Sequence, residues 1–365
     1  MKVLFVLFQK FDMIPDGGDL CNKRNLEMVK SICGDSNVDL YYIRTKIEKS
    51  FKETILFLLY MSSGYYRGLS PRRVKDLCNK AVEYDCVFLS SSLFGVVAYK
   101  LKENGYKGKI ILQFHNVESI YYSCVLPKCL PFRKRIIKCI ADNELMAGRY
   151  SDIKLALNDR DRDGIVNMTN CPVDYVIPIT LSDKAGDNKC DEMTEVPPLV
   201  SFIGSNFLPN AEGVLWFVRN VLPFVNIRFI IVGKNMGELK KNNDILTNIN
   251  VLSDVPDLGL YFKEADVIIA PIFSGSGMKV KTCESLMYGK NILGTSEAFE
   301  GYDIDFDKVG KLANTAKDYI EYLNALNETP IPKYNNYSRM VYLDKYSDNA
   351  AKRVFEVMLN AEVTS

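Results

Sequence analysis

The chain has 365 residues, with 46 Lys and Arg against 45 Asp and Glu and a formal net charge of +1. It therefore has no global pull toward nucleic acid, and any ionic partner must meet a local patch. One histidine and ten scattered cysteines with no Cys-x-x-Cys pair argue against a zinc site or a disulfide scaffold and fit a reducing cytoplasm.

Such a length exceeds one ordinary hydrophobic core and suits two α/β domains. The first apolar run, Val3 to Phe8, is followed at once by Gln9, Lys10 and Asp12. It is too short for a signal peptide and reads as a first strand. No stretch reaches the roughly 18–20 apolar residues of a spanning helix, so a cytoplasmic protein, free or peripheral to the inner face of the membrane, is expected. Pro15-Asp16-Gly17-Gly18-Asp19 then predicts a turn before an amphipathic helix from about Leu20 to Ile32, and a Gly-Gly pair there can be a plain strand-to-helix turn.

Further strands are predicted at Val38 to Ile43, Asp85 to Ser90, Lys109 to Phe114, Ile153 to Leu157 and Tyr175 to Ile179, with helical patterns between most of them. Strands alternating with helices imply a parallel, doubly wound sheet. His115 follows the third of these strands in His115-Asn116-Val117-Glu118. A solitary histidine is commonly a structural donor, but the carboxyl end of a sheet strand is the ligand side of such a fold. From Pro127 to Ile140, Lys128, Arg133, Lys134, Arg135 and Lys138 interleave with apolar residues and no acid. That mixture suits an interfacial helix on anionic lipid or a helix packed on the sheet with a solvated basic face. Phe51 to Arg73 has a similar make-up.

The polar stretch 183–198 ends in Pro-Pro and predicts a linker between a first domain, 1–182, and a second, 199–345, with a last helical segment in 346–365. The second set opens with a strand at Leu199 to Ile203, the turn Gly204-Ser205-Asn206 and a helix from about Asn210 to Leu222. Strands at Ile227 to Val232, ending in Gly233, and at Ile249 to Leu252 follow. Asp266 to Ala270 is a buried strand, and after it come Pro271, Ser274, Gly275, Ser276, Gly277 and a helix expected from Met278 to Tyr288. Glycines between a strand's carboxyl end and a helix's amino end let an anion approach backbone N–H groups, and Lys279 and Lys281 add charge. Glu284 would repel phosphate but could accept hydrogen bonds from a ribose diol; alternatively it supports the first turns of a surface helix.

The whole segment, with Pro271, Gly275 to Gly277, Lys281, Glu284, Gly289-Lys290, Ile292 to Thr295 and Glu300-Gly301, resembles the nucleotide-sugar site of the family 4 glycosyltransferases. The resemblance implies the GT-B fold, two Rossmann-like doubly wound parallel-sheet domains facing a cleft. It extends to Phe114 to Glu118 and to Phe202 to Phe217. In that family a glycine-rich loop after the first strand closes over the donor diphosphate, and Gly17 and Gly18 match it in position. The implied catalytic residues are His115, which would hydrogen-bond the transferred sugar, Lys281 and Glu284. The implied donor contacts are Gly17, Gly18, Gly204, Ser205, Asn206, Gly233, Ser274, Gly275, Ser276, Gly277, Met278, Lys279 and Glu300. Glu118 would orient neighbours or the acceptor, with Arg133, Lys134, Arg135 and Lys138 on the acceptor or membrane side. Two positions depart from the commonest family form: Ser276 stands where the first of two glutamates is usual, and Ser205-Asn206 stands where a cation often follows Gly204.

The implied reaction is a retaining transfer from a nucleotide-diphosphate sugar to a glycan or polyprenyl-linked acceptor in surface polysaccharide biosynthesis. No further cofactor is expected, and, without an Asp-x-Asp segment of the kind metal-dependent transferases use to hold a divalent ion, no metal. Two rivals remain: a non-catalytic nucleotide-sugar-binding or assembly subunit, and a 2-epimerase, for which a single histidine is poor equipment. A dehydrogenase lacks its Gly-x-Gly-x-x-Gly after the first strand.

Overall fold

The computed structural model describes residues 1–11, 17–43, 51–186, 191–275 and 277–361. They divide into two units, one of Met1–Pro178 with Lys352–Ser365, the other of Ile179–Ala351.

The first unit is built on six parallel strands: β1 (Val3–Leu7), β2 (Val38–Tyr42), β3 (Cys86–Leu89), β4 (Lys109–Gln113), β5 (Ile153–Ala156) and β6 (Tyr175–Val176), in the order β2-β1-β3-β4-β5-β6. β1 is buried at all five positions and β3 at all four, which is why both read as unbroken apolar runs: helices cover both faces of the sheet. The helix Gly95–Glu103 lies so close to the helix Arg133–Tyr150 that a Cβ on Gly95 would meet the Asn143 carbonyl oxygen at 1.8 Å. Asn143 makes the contact specific, accepting the Val96 N–H at 3.0 Å and donating to the Gly64 carbonyl at 2.6 Å.

The final helix, Asp348–Asn360, supplies this unit with Phe355, which stacks on Phe88 at 6.5 Å between centroids and underlies the Arg24 guanidinium at 5.9 Å. Lys109 Nζ donates to the last carbonyls of that segment, Leu359 at 2.9 Å and Ala361 at 2.6 Å. A cation there satisfies acceptors that a helix end leaves without partners.

The second unit repeats the plan with β7 (Leu199–Ile203), β8 (Arg228–Gly233), β9 (Asn250–Ser253), β10 (Val267–Ala270), β11 (Asn291–Gly294) and β12 (Gly310–Leu312), ordered β12-β11-β10-β7-β8-β9 and parallel throughout. The chain runs outward from β7 to β9 and then returns to the other side of β7. The switch point therefore lies between β7 and β10, where open α/β sheets hold ligands beyond the strands' carboxyl ends.

Several boundaries differ from the sequence expectation. The helix after β1 begins at Gly17, so Gly17 and Gly18 form its first turn instead of a loop; Pro15 and Asp16 lie outside the described residues. The basic stretch is helical only from Arg133, because Pro127 and Pro131 interrupt the residues before it. The helix expected from Met278 begins at Val280, with Lys279 as its N-cap.

The proposed linker is also more structured than its composition suggests, and the division falls at Pro178. Leu181 bridges to Ser347 and Met193 to Pro332, while Ala185 and Thr194 are buried. Asp183 receives both guanidinium nitrogens of Arg339, Nη1 at 2.9 Å and Nη2 alongside, and Nη1 also donates to the Met287 carbonyl at 2.7 Å. This pair holds the Asp183 carboxyl below its usual range. Arg339→Ala strands a carboxylate that is about one-third exposed, so we expect a loss of roughly 2–3 kcal/mol, below the cost of breaking a fully buried pair. Urea unfolding of the full chain measures it, and no loss would remove the pair from the stability of the second unit.

Candidate donor site and the residues around His115

In the second unit the residues after β7, β8 and β10 converge at the switch point. Gly233, at φ +149°, ends β8 directly against Gly204: a Cβ there would meet the Gly204 carbonyl oxygen at 1.9 Å. The Asn206 N–H donates to the Lys234 carbonyl at 2.9 Å, tying the two loops together. On the β10 side, a Cβ on Gly213 would lie 1.9 Å from the Pro271 carbonyl oxygen, which seats the helix Leu208–Asn220 against the loop that begins the glycine-rich turn.

Lys281 and Glu284 sit three residues apart on the helix Val280–Met287 and so share a face. The Lys281 ammonium donates to Asn210 Oδ1 at 2.5 Å, lies 4.4 Å from the centroid of the Phe202 ring, and would be 3.0 Å from a Cβ on Gly204. Asn210 Nδ2 in turn donates to the Ser205 carbonyl at 2.8 Å. Burial pulls the Lys281 ammonium down to about 7, with Lys279 adding to the effect and Glu284 opposing it. Burial pushes Glu284 up to about 7 against the pull of Lys184 and Lys281. A desolvated cation beside backbone glycine is poised for an anion that would restore its charge.

Lys279 is engaged differently. Its Nζ donates to Glu297 Oε1 and to the Gly277 carbonyl, both at 2.6 Å. The ion pair is largely enclosed, with side chains 13% and 20% exposed. Glu297, absent from the sequence-derived site, is thus part of the loop. Met278 is buried, its sulfur accepting the Ile179 N–H at 3.4 Å, so it is a packing residue of the turn. Ser274 is exposed, Gly275 and Gly277 take φ of +147° and +65°, and Glu300 lies half-buried in the turn after Glu297. Ser276 lies outside the described residues.

The first unit carries its own cluster at the end of β4. His115 Nε2 is 3.2 Å from Asn22 Oδ1, on the helix Gly17–Cys33. A carboxamide oxygen only accepts, so this contact places a proton on Nε2. Cys21, one residue earlier, is buried, which pushes its thiol up. The Arg24 guanidinium 3.6 Å away and the hydrogen-bonded His115 outweigh that and leave it below its ordinary value. Glu118 is buried too, and desolvation pushes its carboxyl up, opposed by His115 and by a hydrogen bond from Asn116.

Glu118 opens the helix Glu118–Val125, whose first amides are received by a buried partner: Glu144 accepts the N–H groups of Glu118 at 2.6 Å and Ser119 at 3.0 Å. Asn22, Cys21 and Glu144 lacked a local signal in the sequence, since each meets His115 or Glu118 only through the tertiary fold, and Arg24 enters the cluster through Cys21.

The basic residues form a separate surface. Arg133 donates to the Ser123 carbonyl at 2.5 Å and the Leu126 carbonyl at 3.3 Å, Lys138 pairs with Asp142 at 2.9 Å, and Arg135 lies 5.8 Å from the Phe132 ring. Around them Ile120, Val125 and Phe132 are more than half exposed. Among the described residues no helix is long and apolar enough to cross a membrane.

Comparison with known proteins fits this geometry. Residues 197–327 match the family described as glycosyl transferases group 1. A Klebsiella pneumoniae protein described as an uncharacterized 44.6 kDa protein in the cps region is 24% identical over 258 residues. That match covers 62% of this chain and 63% of that protein, so the chain spans less than two thirds of its relative's length.

Among solved structures, Anabaena Alr3699/HepE in complex with UDP superposes with a TM-score of 0.66 at 10% identity, covering 98% of this chain and 99% of that one. The lipopolysaccharide outer core galactosyltransferase WaaB gives 0.65 at 13%, covering 98% of this chain and 99% of that one. Sucrose-phosphate synthase of Thermosynechococcus elongatus gives 0.68 at 10%, over 98% of each. These likenesses establish the fold along nearly the whole chain. Residues 197–327, within the second unit, thus resemble the group 1 glycosyl transferases, and the chain as a whole has the GT-B fold.

Proposed function

We propose that the protein transfers a sugar, with retention of configuration, from a UDP-sugar to a glycan or polyprenyl-linked acceptor in surface polysaccharide assembly. The observation that carries this reading is the Lys281 ammonium, held beside Gly204 at the β7–β10 switch point. The diphosphate leaving group needs a preorganised cation and backbone N–H donors in a site poor in water. Lys281 supplies the cation. The glycine turn admits the phosphates, and Glu284, once ionised, receives the ribose hydroxyls. His115, its Nε2–H directed by Asn22, serves the transferred sugar, and Glu118 orients the groups around it. UDP as the base-bearing half is supported by the UDP held in the Anabaena protein of the same fold, and the polysaccharide setting by the cps-region relative.

Isothermal titration with a panel of nucleotide sugars, followed by a transfer assay with lipid-linked acceptors, tests the reading. Binding with transfer supports it. Binding without turnover would replace it by a donor-binding assembly subunit, and turnover without acceptor by an epimerase.

Donor affinity should be greatest near pH 7. Above that, Lys281 in the free protein gives up its proton, and affinity falls by up to about tenfold per pH unit until the donor-bound pKa is reached. Below it, Glu284 becomes neutral and loses its value as an acceptor. The charged groups acting on Lys281 are Glu284 and Lys279; Phe202, Gly204 and Asn210, which face it from the β7 side, do not titrate. Titration calorimetry across pH 6–9 in buffers of different ionisation enthalpy reads both affinity and proton uptake, and a flat profile would remove the pair from the donor site.

The basic surface bearing Lys134, Arg135 and exposed Ile120, Val125 and Phe132 fits an anionic lipid face presenting the acceptor. Reversing Arg133, Lys134 and Arg135 to Glu should abolish co-flotation with phosphatidylglycerol vesicles, each basic residue contributing about 1 kcal/mol. Unchanged flotation would assign the stretch to a solvated face.

A further inference from the structure

The Lys281 ammonium does not reach its place by helix geometry alone. It sits in a three-sided seat made by the Phe202 ring at 4.4 Å, the Gly204 backbone and the Asn210 carboxamide at 2.5 Å. Only the last is a polar side chain, and it is fixed at its other end: Nδ2 donates to the Ser205 carbonyl at 2.8 Å. The carboxamide therefore spans from the loop after β7 to the helix Val280–Met287, linking the two sides of the switch point through one residue. Its orientation is dictated, because an ammonium can only be met by the oxygen and a carbonyl only by the nitrogen.

We infer that Asn210 is the positioning residue of the donor site, clamping the Lys281 ammonium over the Gly204–Ser205 backbone so that cation and amides present one prealigned anion seat. This rests on the reading of Lys281 as the diphosphate cation. A neutral clamp has a chemical advantage over an acidic one. A carboxylate at the same place would compete with the phosphate for the ammonium, whereas a carboxamide oxygen orients it and leaves its charge to the ligand. The seat also bears on the absence of a cation at Ser205-Asn206: the loop after β7 contributes alignment, and the charge comes from across the switch point.

Two variants of the full-length protein test the clamp, each read in two ways. In the first reading, the Lys281 ammonium is titrated by NMR of lysine labelled at Cε, without donor, the resonance being assigned by its disappearance in Lys281→Arg. Asn210→Asp places a carboxylate on the ammonium and should raise the Lys281 midpoint by about 1–3 pH units. Glu284 and Lys279, the other charged groups acting on Lys281, are unchanged in this variant.

In the second reading, UDP-sugar binding is followed across pH. Asn210→Asp should bind the donor more weakly at neutral pH while its alkaline limb moves up with the lysine. Asn210→Ala should lose about 10–100-fold in donor affinity, the value of one hydrogen bond to a charged group, with thermal unfolding of the chain unchanged. A merely structural asparagine would alter stability and leave the lysine midpoint and the pH limb in place, and that result overturns the proposal. If Asn210→Asp moves the lysine midpoint while donor binding stays indifferent to it, the clamp exists and Lys281 is not the diphosphate cation, so the failure belongs to the functional reading.

Discussion

Lys281→Met is expected to lower donor turnover by roughly 100–1000-fold, the loss that follows removal of one preorganised group from a developing negative charge. The expectation is large because alternative cations are scarce at this place. Lys279 is committed to Glu297 at 2.6 Å in an enclosed pair, and Ser205-Asn206 contributes no charge. The Lys281 ammonium itself is already desolvated by Phe202 and Gly204, so little of the cost of stripping its water falls on the binding step. Methionine preserves the length and apolar stem of the side chain, which separates loss of charge from loss of packing. Lys281→Arg keeps the charge at every accessible pH, so any residual activity should lack the alkaline decline. A methionine variant with normal turnover would mean that the diphosphate is held elsewhere.

Gly233→Ala should do comparable damage by another route. Its φ of +149° is a conformation that a side chain resists, and the added Cβ would press to 1.9 Å of the Gly204 carbonyl oxygen. Backbone strain and overpacking each cost about 1–3 kcal/mol, and the backbone that must yield carries the proposed anion seat. We expect a destabilisation of about 3–5 kcal/mol from the two together and loss of measurable donor binding, read by urea unfolding and titration calorimetry. Gly105→Ala is the control. It also has positive φ, +76°, but nothing lies within 4 Å of its added Cβ, so it should cost about 1 kcal/mol and leave binding intact. Equal effects at the two glycines would mean that strain, without the contact to Gly204, accounts for the loss.

Much of the fold is legible in the sequence because buried parallel strands such as Val3–Leu7 and Val267–Ala270 have apolar side chains on both faces. β12, Gly310–Leu312, is too short and too mixed to stand out. The acidic stretch before Pro197 looks like a linker by composition, yet its Asp183 is claimed by Arg339, 156 residues away. The same distinction runs through the site. Gly275, Gly277, Lys281 and Glu284 are neighbours along the chain, so their pattern is visible before folding. Asn210 meets Lys281 across 71 residues and Asn22 meets His115 across 93, and no local spacing encodes such pairs. Glu297 and Lys279 are separated by a strand, and their pairing depends on the register of β10 and β11.

Because residues from Lys352 onward group with the opening 178 residues, and Phe355 stacks against Phe88 while Lys109 holds the Leu359 and Ala361 carbonyls, synthesis and assembly run out of step. On the ribosome the second sheet can close as soon as its strands emerge, whereas Phe88 and Lys109 lack these partners until residues 355–361, made after all twelve strands, have emerged. The first unit is thus completed only after the second has been translated.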